Sequence, residues 1–362
     1  MIEVENHSPF PHFLFEKSGY RGKQFDVLAV KATFRLKIDG TRADLAESQR
    51  PLVMADIYWG SPENSSLKFE TDLVIAKQRT DIHVVGHAYA EQGKPCRKWL
   101  AGIRVGELKK PIYVTGPRHW KYISNQWRLS EPEPVTSVPL RYELAYGGSY
   151  TDREKGNAPC FSRMNPIGIG FLDIENLQTD REYSAPQFDN AEVSHALTDI
   201  RKRYAPQGLG PLSRWWEPRI SFVGTYDDVW QKNGWPFLPD DFDFAFYNSA
   251  PADLQADGYL EGDEWVVLVG LLPEAKSVTT ALGGYKPVCV VEDDGNVLNT
   301  LFPRLSTVTV DTDERLIYQT WHLTLPRDFA ARHIVLGTLV PTPENRGDLR
   351  LMNARSRGAD YG

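Results

Sequence analysis

The chain has 362 residues, 41% hydrophobic and 25% charged, the balance of an ordinary globular protein with room for two modest domains or one large β module. Its 10 Trp and 16 Tyr exclude a disordered chain, and its 25 Pro and 28 Gly predict many turns and few long helices. The formal charge of −7 is spread over intermixed acids and bases, which excludes a basic stripe for a phosphate backbone, so nucleic acid is not expected as a partner.

The first residues, Met1 to Asn6, are acidic and lack the basic and apolar regions of a secretory signal. No apolar run approaches the roughly 18 residues of a membrane span, so no membrane is expected as a partner. Cys96, Cys160 and Cys289 lie far apart with no paired spacing. Free thiols of that kind suit a reducing, cytoplasmic compartment.

Residues 1–148 read as an N-terminal β-rich half. Val27 to Ile38 begins as a continuous apolar run and then alternates, with Phe34, Leu36 and Ile38 on one face and Arg35 and Lys37 on the other. Asp39-Gly40 is a hairpin-turn signal. Further strands are expected at 82–90, 101–107 and 111–115. Residues 149–255 form an irregular connecting and packing segment rich in Pro, Gly and Trp, with one or two short helices expected. Val193, Leu197, Ile200 and Tyr204 have helical spacing and stop before Pro206. Thr225 and Asp228 make a capping box, with Gly234 in the left-handed position after the helix and Pro236 beyond. Residues 256–340 read as a C-terminal β-rich half, with strands at 264–272, 286–292, 305–311 and 315–324 and an Asp294-Gly295 turn leading to one near 297–301. Residues 341–362 are expected to be a flexible tail. The fold class is mainly β: two β-sandwich or barrel-like halves joined by the irregular middle.

Chemistry-bearing patterns are few. Asp240, Asp241 and Asp243 follow Asp227-Asp228 and could in principle hold Mg²⁺ for a metal-dependent nuclease or hydrolase. The Glu that such a site needs, Glu274, follows Pro273 and is expected in a loop rather than on a core strand. Turn and capping roles account for these aspartates better. His83 and His87 would share a metal on a helix, but on a strand they stand about 13 Å apart. No phosphate-binding glycine loop and no nucleophile elbow is present. No catalytic residue, cofactor or metal is therefore assigned, and the chain is not expected to be an enzyme. Its conspicuous residues are aromatic. Trp215, Trp216, Tyr226, Trp230 and Trp235 either pin the middle to a β core or present a protein-binding surface.

These signatures recur in a fixed order: Asn6-His7-Ser8-Pro9-Phe10, Val30-Lys31-Ala32-Thr33-Phe34, Gln49-Arg50-Pro51-Leu52, Asp72-Leu73, Lys77 to Asp81, Gly116 to Trp120, Tyr142 to Gly148, Asn165-Pro166-Ile167-Gly168, Gly224 to Asp227 with Trp230, Leu238 to Asp243, and Tyr247-Asn248-Ser249-Ala250-Pro251. Over residues 6–325 the order resembles a bacterial family catalogued as a domain of unknown function and found beside effectors of type VI secretion. The chain departs from that pattern at Gln78 and Pro117, where Pro and Asp are usual, and over 180–205. The resemblance implies a non-catalytic adaptor or chaperone. Such a protein would bind a type VI effector through its spike-tip (PAAR-type) or N-terminal region and help load it onto the valine–glycine repeat spike protein. It brings no catalytic residues with it. A structural component of the secretion apparatus is the other non-enzymatic reading.

Overall fold

The computed structural model describes residues 2–152, 156, 158–192, 196–341 and 349–352. Three larger sheets carry the fold, and none closes into a barrel. The first runs His12–Ser18, Gln24–Arg35, Leu316–Pro326, Arg304–Asp311, Asp81–Val85, with Asp44–Leu45 added beside Gln24–Arg35. The second runs Phe188–Asn190, Leu108–Thr115, Lys98–Val105, Trp265–Val269, Ser277–Ala281. The third runs Glu3–Asn6, Ala331–Pro341, Lys286–Asp293, Leu298–Leu301, with Leu349–Met352 paired to Ala331–Pro341. Each sheet takes strands from both the first 148 residues and the stretch beyond 256, so these two stretches are interleaved in space. One core, including Leu28, Phe34, Ile82, Ile112, Leu268 and Ile334, is shared by all three sheets.

The mainly β reading holds, and its adjustments have physical causes. Gln24–Arg35 is buried without a break from Val27 to Phe34, because the strand lies inside the first sheet and is covered on both faces. It ends at Arg35, so Ile38 does not continue the apolar face and is half exposed. The expected strand 82–90 is divided at Gly86 into Asp81–Val85 and His87–Tyr89. Ser277–Ala281 and Ala331–Pro341 are strands that the sequence reading omitted, although both carry β-branched runs. The tail expected at 341–362 falls mostly outside the described residues, but Leu349–Met352 within it is a strand.

Of the one or two short helices expected, the one after Thr225 is present among the described residues. Val193 lies outside the described residues, and 196–204 is not helical. Ile200 packs with Trp120 and Ala185 in a small separate core, with Leu197 against it. The Tyr204 hydroxyl meanwhile takes the backbone N–H groups of Thr198 and Asp199. The second helix is Asp228–Asn233, with Asp227 rather than Thr225 as its cap.

Candidate functional site

The irregular middle meets the sheets at a buried network of charges. Lys77 Nζ donates to Glu70 Oε2 at 2.9 Å and to Asp81 Oδ2 at 2.7 Å. Arg219 Nη2 reaches Glu70 Oε1 at 2.5 Å, and its other nitrogens donate to the carbonyls of Phe246 and Leu212. Asp81 accepts from the Asn248 side chain at 2.9 Å and from the Ser249 amide at 2.7 Å. A neighbouring pair, Lys31–Asp72 at 2.9 Å, completes the cluster with three cations facing three carboxylates. All six charged side chains are buried.

That closure sets the electrostatics. Burial opposes the charge on Glu70, yet the Arg219 and Lys77 charges and the Ser249 and Lys77 hydrogen bonds outweigh it and hold the carboxyl well below its usual range. Burial likewise opposes the charge on Lys77, and Asp81 and Glu70 raise its pKa in spite of it. For His83 the balance is reversed: burial, aided by the Lys77 and Arg219 charges, outweighs Asp81 and Glu70 and pushes it down to about 4. Ser249 Oγ lies 3.1 Å from His83 Nε2, an arrangement of nucleophile and base in outline. Ser249 donates to Glu70 at 2.6 Å, however, and is fully buried. The adjoining cavity is about 20 Å³, room for about one water molecule. The cluster fastens backbone segments to one another.

Most residues of this network belong to the ordered signatures in the sequence: Lys31, Asp72, Lys77, Asp81, Asn248 and Ser249. Other signature residues play similar parts. Arg118 donates to Pro186 O and pairs with Asp189 at 2.6 Å. Asn165 donates to the carbonyls of Tyr142 and Tyr146. Glu70 and Arg219, which pair with each other in the network, lie outside those ordered signatures and carried no sequence signal.

Beyond this anchor the middle turns outward. Asp227 Oδ1 accepts from Trp230 N at 2.8 Å, capping the short helix. Thr225 instead bonds to Asp241 through both its amide and its hydroxyl, at 2.9 and 2.7 Å. Gly234 has φ −103°, so it is not left-handed as expected. Its role is proximity: an added Cβ would lie 2.6 Å from Trp230 Cδ1. Trp230 thus folds back over the chain, its indole N–H donating to Phe237 O at 2.9 Å. Tyr226 and Trp235 pack edge-on against it, with ring centroids at 4.5 and 5.8 Å.

The result is a row of three rings on the surface. Trp235 is 70% exposed, Tyr226 48% and the neighbouring Val229 65%. Beside them runs a groove of about 570 Å³ bordered by Arg21, Asp227, Trp230, Asp240 and Asp241. Trp215 is also exposed, but among the described residues no ring contact joins it to this row. Trp216 must be removed from the surface set. It is 5% exposed and packs edge-on against Tyr142 at 5.6 Å, because the turns there bury every third residue, Ser213, Trp216 and Arg219.

Asp240, Asp241 and Asp243 do not converge. Asp240 pairs with Arg21, Asp241 holds Thr225, and Asp243 caps the turn at Ala245. Glu274 lies in the loop between Trp265–Val269 and Ser277–Ala281, where it pairs with Arg315. His83 and His87 sit on separate strands with separate partners, Ser249 and Asp313. Among the described residues no three His, Cys, Asp or Glu side chains are grouped to hold a metal ion, and no helix is long and apolar enough to cross a membrane.

A family model described as an uncharacterized protein conserved in bacteria (DUF2169) matches residues 21–322, and the chain belongs to that family. No curated protein and no solved structure matches it.

Proposed function

We propose that this member of a conserved bacterial family is a non-catalytic adaptor. It binds a type VI secretion effector, through a PAAR-type or N-terminal region, and helps load it onto the valine–glycine repeat spike protein in the cytoplasm. The ordered signatures from Asn6 to Pro251 support the secretion role by resemblance. The observation that carries the binding role is the row Tyr226–Trp230–Trp235, exposed beside an acidic-edged groove and mounted on a segment fixed by buried charges. Aromatic rings held rigid on a surface lose little entropy when a partner covers them, which is why such residues dominate protein interfaces.

Affinity purification of the full chain from its native cells, followed by mass spectrometry, tests this reading. A secreted toxin and a spike protein are expected in the bound fraction, and Trp235→Ala with Tyr226→Ala should remove the toxin while the protein stays folded. Recovery of neither protein would overturn the adaptor role. Undiminished recovery with the double variant would overturn the placement of its surface.

A further inference from the structure

The second sheet has one face in the core and one open. Ile103, Val105, Ile112, Val266 and Leu268 point inward and are buried. Residues of the opposite parity line the outer face, where Gly102 stands between Pro111 and Val269 across the strands, and Leu100 stands opposite Tyr113. Leu100 is 38% exposed and Trp265 49%. Gly102 forms the floor of a shallow groove of about 280 Å³. A Cβ at Gly102 would lie 2.4 Å from Lys110 O, so no side chain can fill that floor.

The acid on this face, Asp189 opposite Tyr113, is buried and engaged by Arg118, and the exposed charges are cationic. Arg104 is the direct cross-strand partner of Lys109, an arrangement that is unfavourable when left uncompensated. Among the described residues, neither has a carboxylate within ion-pair distance. Lys98 lies on the same face, its ammonium over the Tyr113 ring at 4.0 Å. A chain of net charge −7 thus keeps three cations around an apolar floor, and among the described residues no acid pairs with them, Asp189 being taken by Arg118.

We propose that this face is a second docking surface, for an extended, acidic and apolar segment of a partner protein. Carboxylates of the segment would meet Arg104 and Lys109, and its alternate apolar side chains would lie over Gly102, Pro111, Val267 and Val269. The flat floor and the two-residue spacing of the rows suit an extended chain. A phosphate backbone would use the cations but leave the apolar floor wet. The surface is on a sheet, whereas the Tyr226–Trp230–Trp235 row is on a short helix and its flanking loops, and the inference does not depend on the secretion role.

Fluorescence anisotropy on the full-length protein tests it, with two labelled peptides of equal length, one alternating Glu and Val and the other Lys and Val. The Glu–Val peptide is expected to bind at least about tenfold more tightly, with an affinity that falls as salt rises. Arg104→Gln with Lys109→Gln should abolish the preference, and Arg104→Glu with Lys109→Glu should reverse it. The neutral pair keeps the test open if the reversed pair does not fold. Equal affinity for the two peptides, or a preference unchanged in the neutral variant, overturns the proposal. So does stronger retention on phosphatidylserine vesicles than on the peptide, which would make the face a membrane contact. A dimer in sedimentation that the neutral variant splits would assign the face to a second copy of the chain and overturn the proposal too.

Discussion

The exposed aromatic row lies between Arg219 and Asn248-Ser249, which tie its segment into the buried charge network, and the two use their residues in opposite ways. In the network every charge is paired and buried, so removal of one member leaves the rest unbalanced inside the protein. In the row the rings touch one another and the chain beneath, while their outer faces meet solvent. Trp215 and Trp216 show the same contrast within two residues, at 67% and 5% exposure. Residue type alone therefore does not say which side chains hold the fold and which are free for a partner. Burial and partner count decide it.

The contrast can be broken most directly at Arg219. Arg219→Met leaves the buried Glu70 and Asp81 carboxylates to share Lys77 alone and should cost about 3–5 kcal/mol in a denaturant titration. A loss below about 1 kcal/mol would mean that the network does not anchor the middle. Trp216→Ala belongs to the same class and should cost about 3–5 kcal/mol by lost burial and a cavity, whereas Trp215→Ala should stay within about 0.5 kcal/mol. Equal effects at the two positions would erase the distinction.

Acid provides a milder test. Folded His83 takes up its proton only near pH 4, while in the unfolded chain it does so near 6.5. The unfolded state therefore binds more protons between those values, and stability falls as pH drops through that window, by about 3 kcal/mol in all. The Glu70 contribution is present above the ordinary carboxylate range and is lost below it as pH falls toward its depressed folded value, so it acts in the same direction at lower pH. His83→Gln should flatten the stability profile between pH 6.5 and 4, measured by denaturation at each pH; an unchanged slope would remove His83 as the cause.

Smaller effects sharpen the other side. Asp227→Ala removes the cap of the short helix and should cost about 1 kcal/mol, with a change in Trp230 fluorescence as its mount loosens. Trp235→Ala should change stability by less than about 0.5 kcal/mol yet weaken partner binding by about 2 kcal/mol or more, read by calorimetry with the co-purified partner. A stability loss equal to the binding loss would make Trp235 part of the scaffold.

Much of the β framework was legible along the chain. Alternation and continuous apolar runs marked strands such as Gln24–Arg35 and Leu316–Pro326, and Asp294-Gly295 marked the turn between Lys286–Asp293 and Leu298–Leu301. The helix expected at 193–204 misled because helical spacing is also met by side chains that reach a local core from an irregular backbone, as Leu197 and Ile200 do. Gly234 was assigned the wrong role for a related reason. A glycine after a helix satisfies both a left-handed cap and a close ring contact, and only the position of Trp230 separates them.

The sequence by itself determined that this protein is mainly β, that its middle is irregular, and that Asp243 caps a turn, because turn chemistry and strand periodicity are local properties. Tertiary structure alone decided that strands from both ends share each sheet, that Glu70, Lys77, Asp81 and Arg219 meet, that Trp216 is core while Trp235 is surface, and that Arg104 and Lys109 face each other unpaired. Those facts depend on which distant segments pair and in what register. A one-residue change of register exchanges the faces of a strand, and no local pattern records the choice.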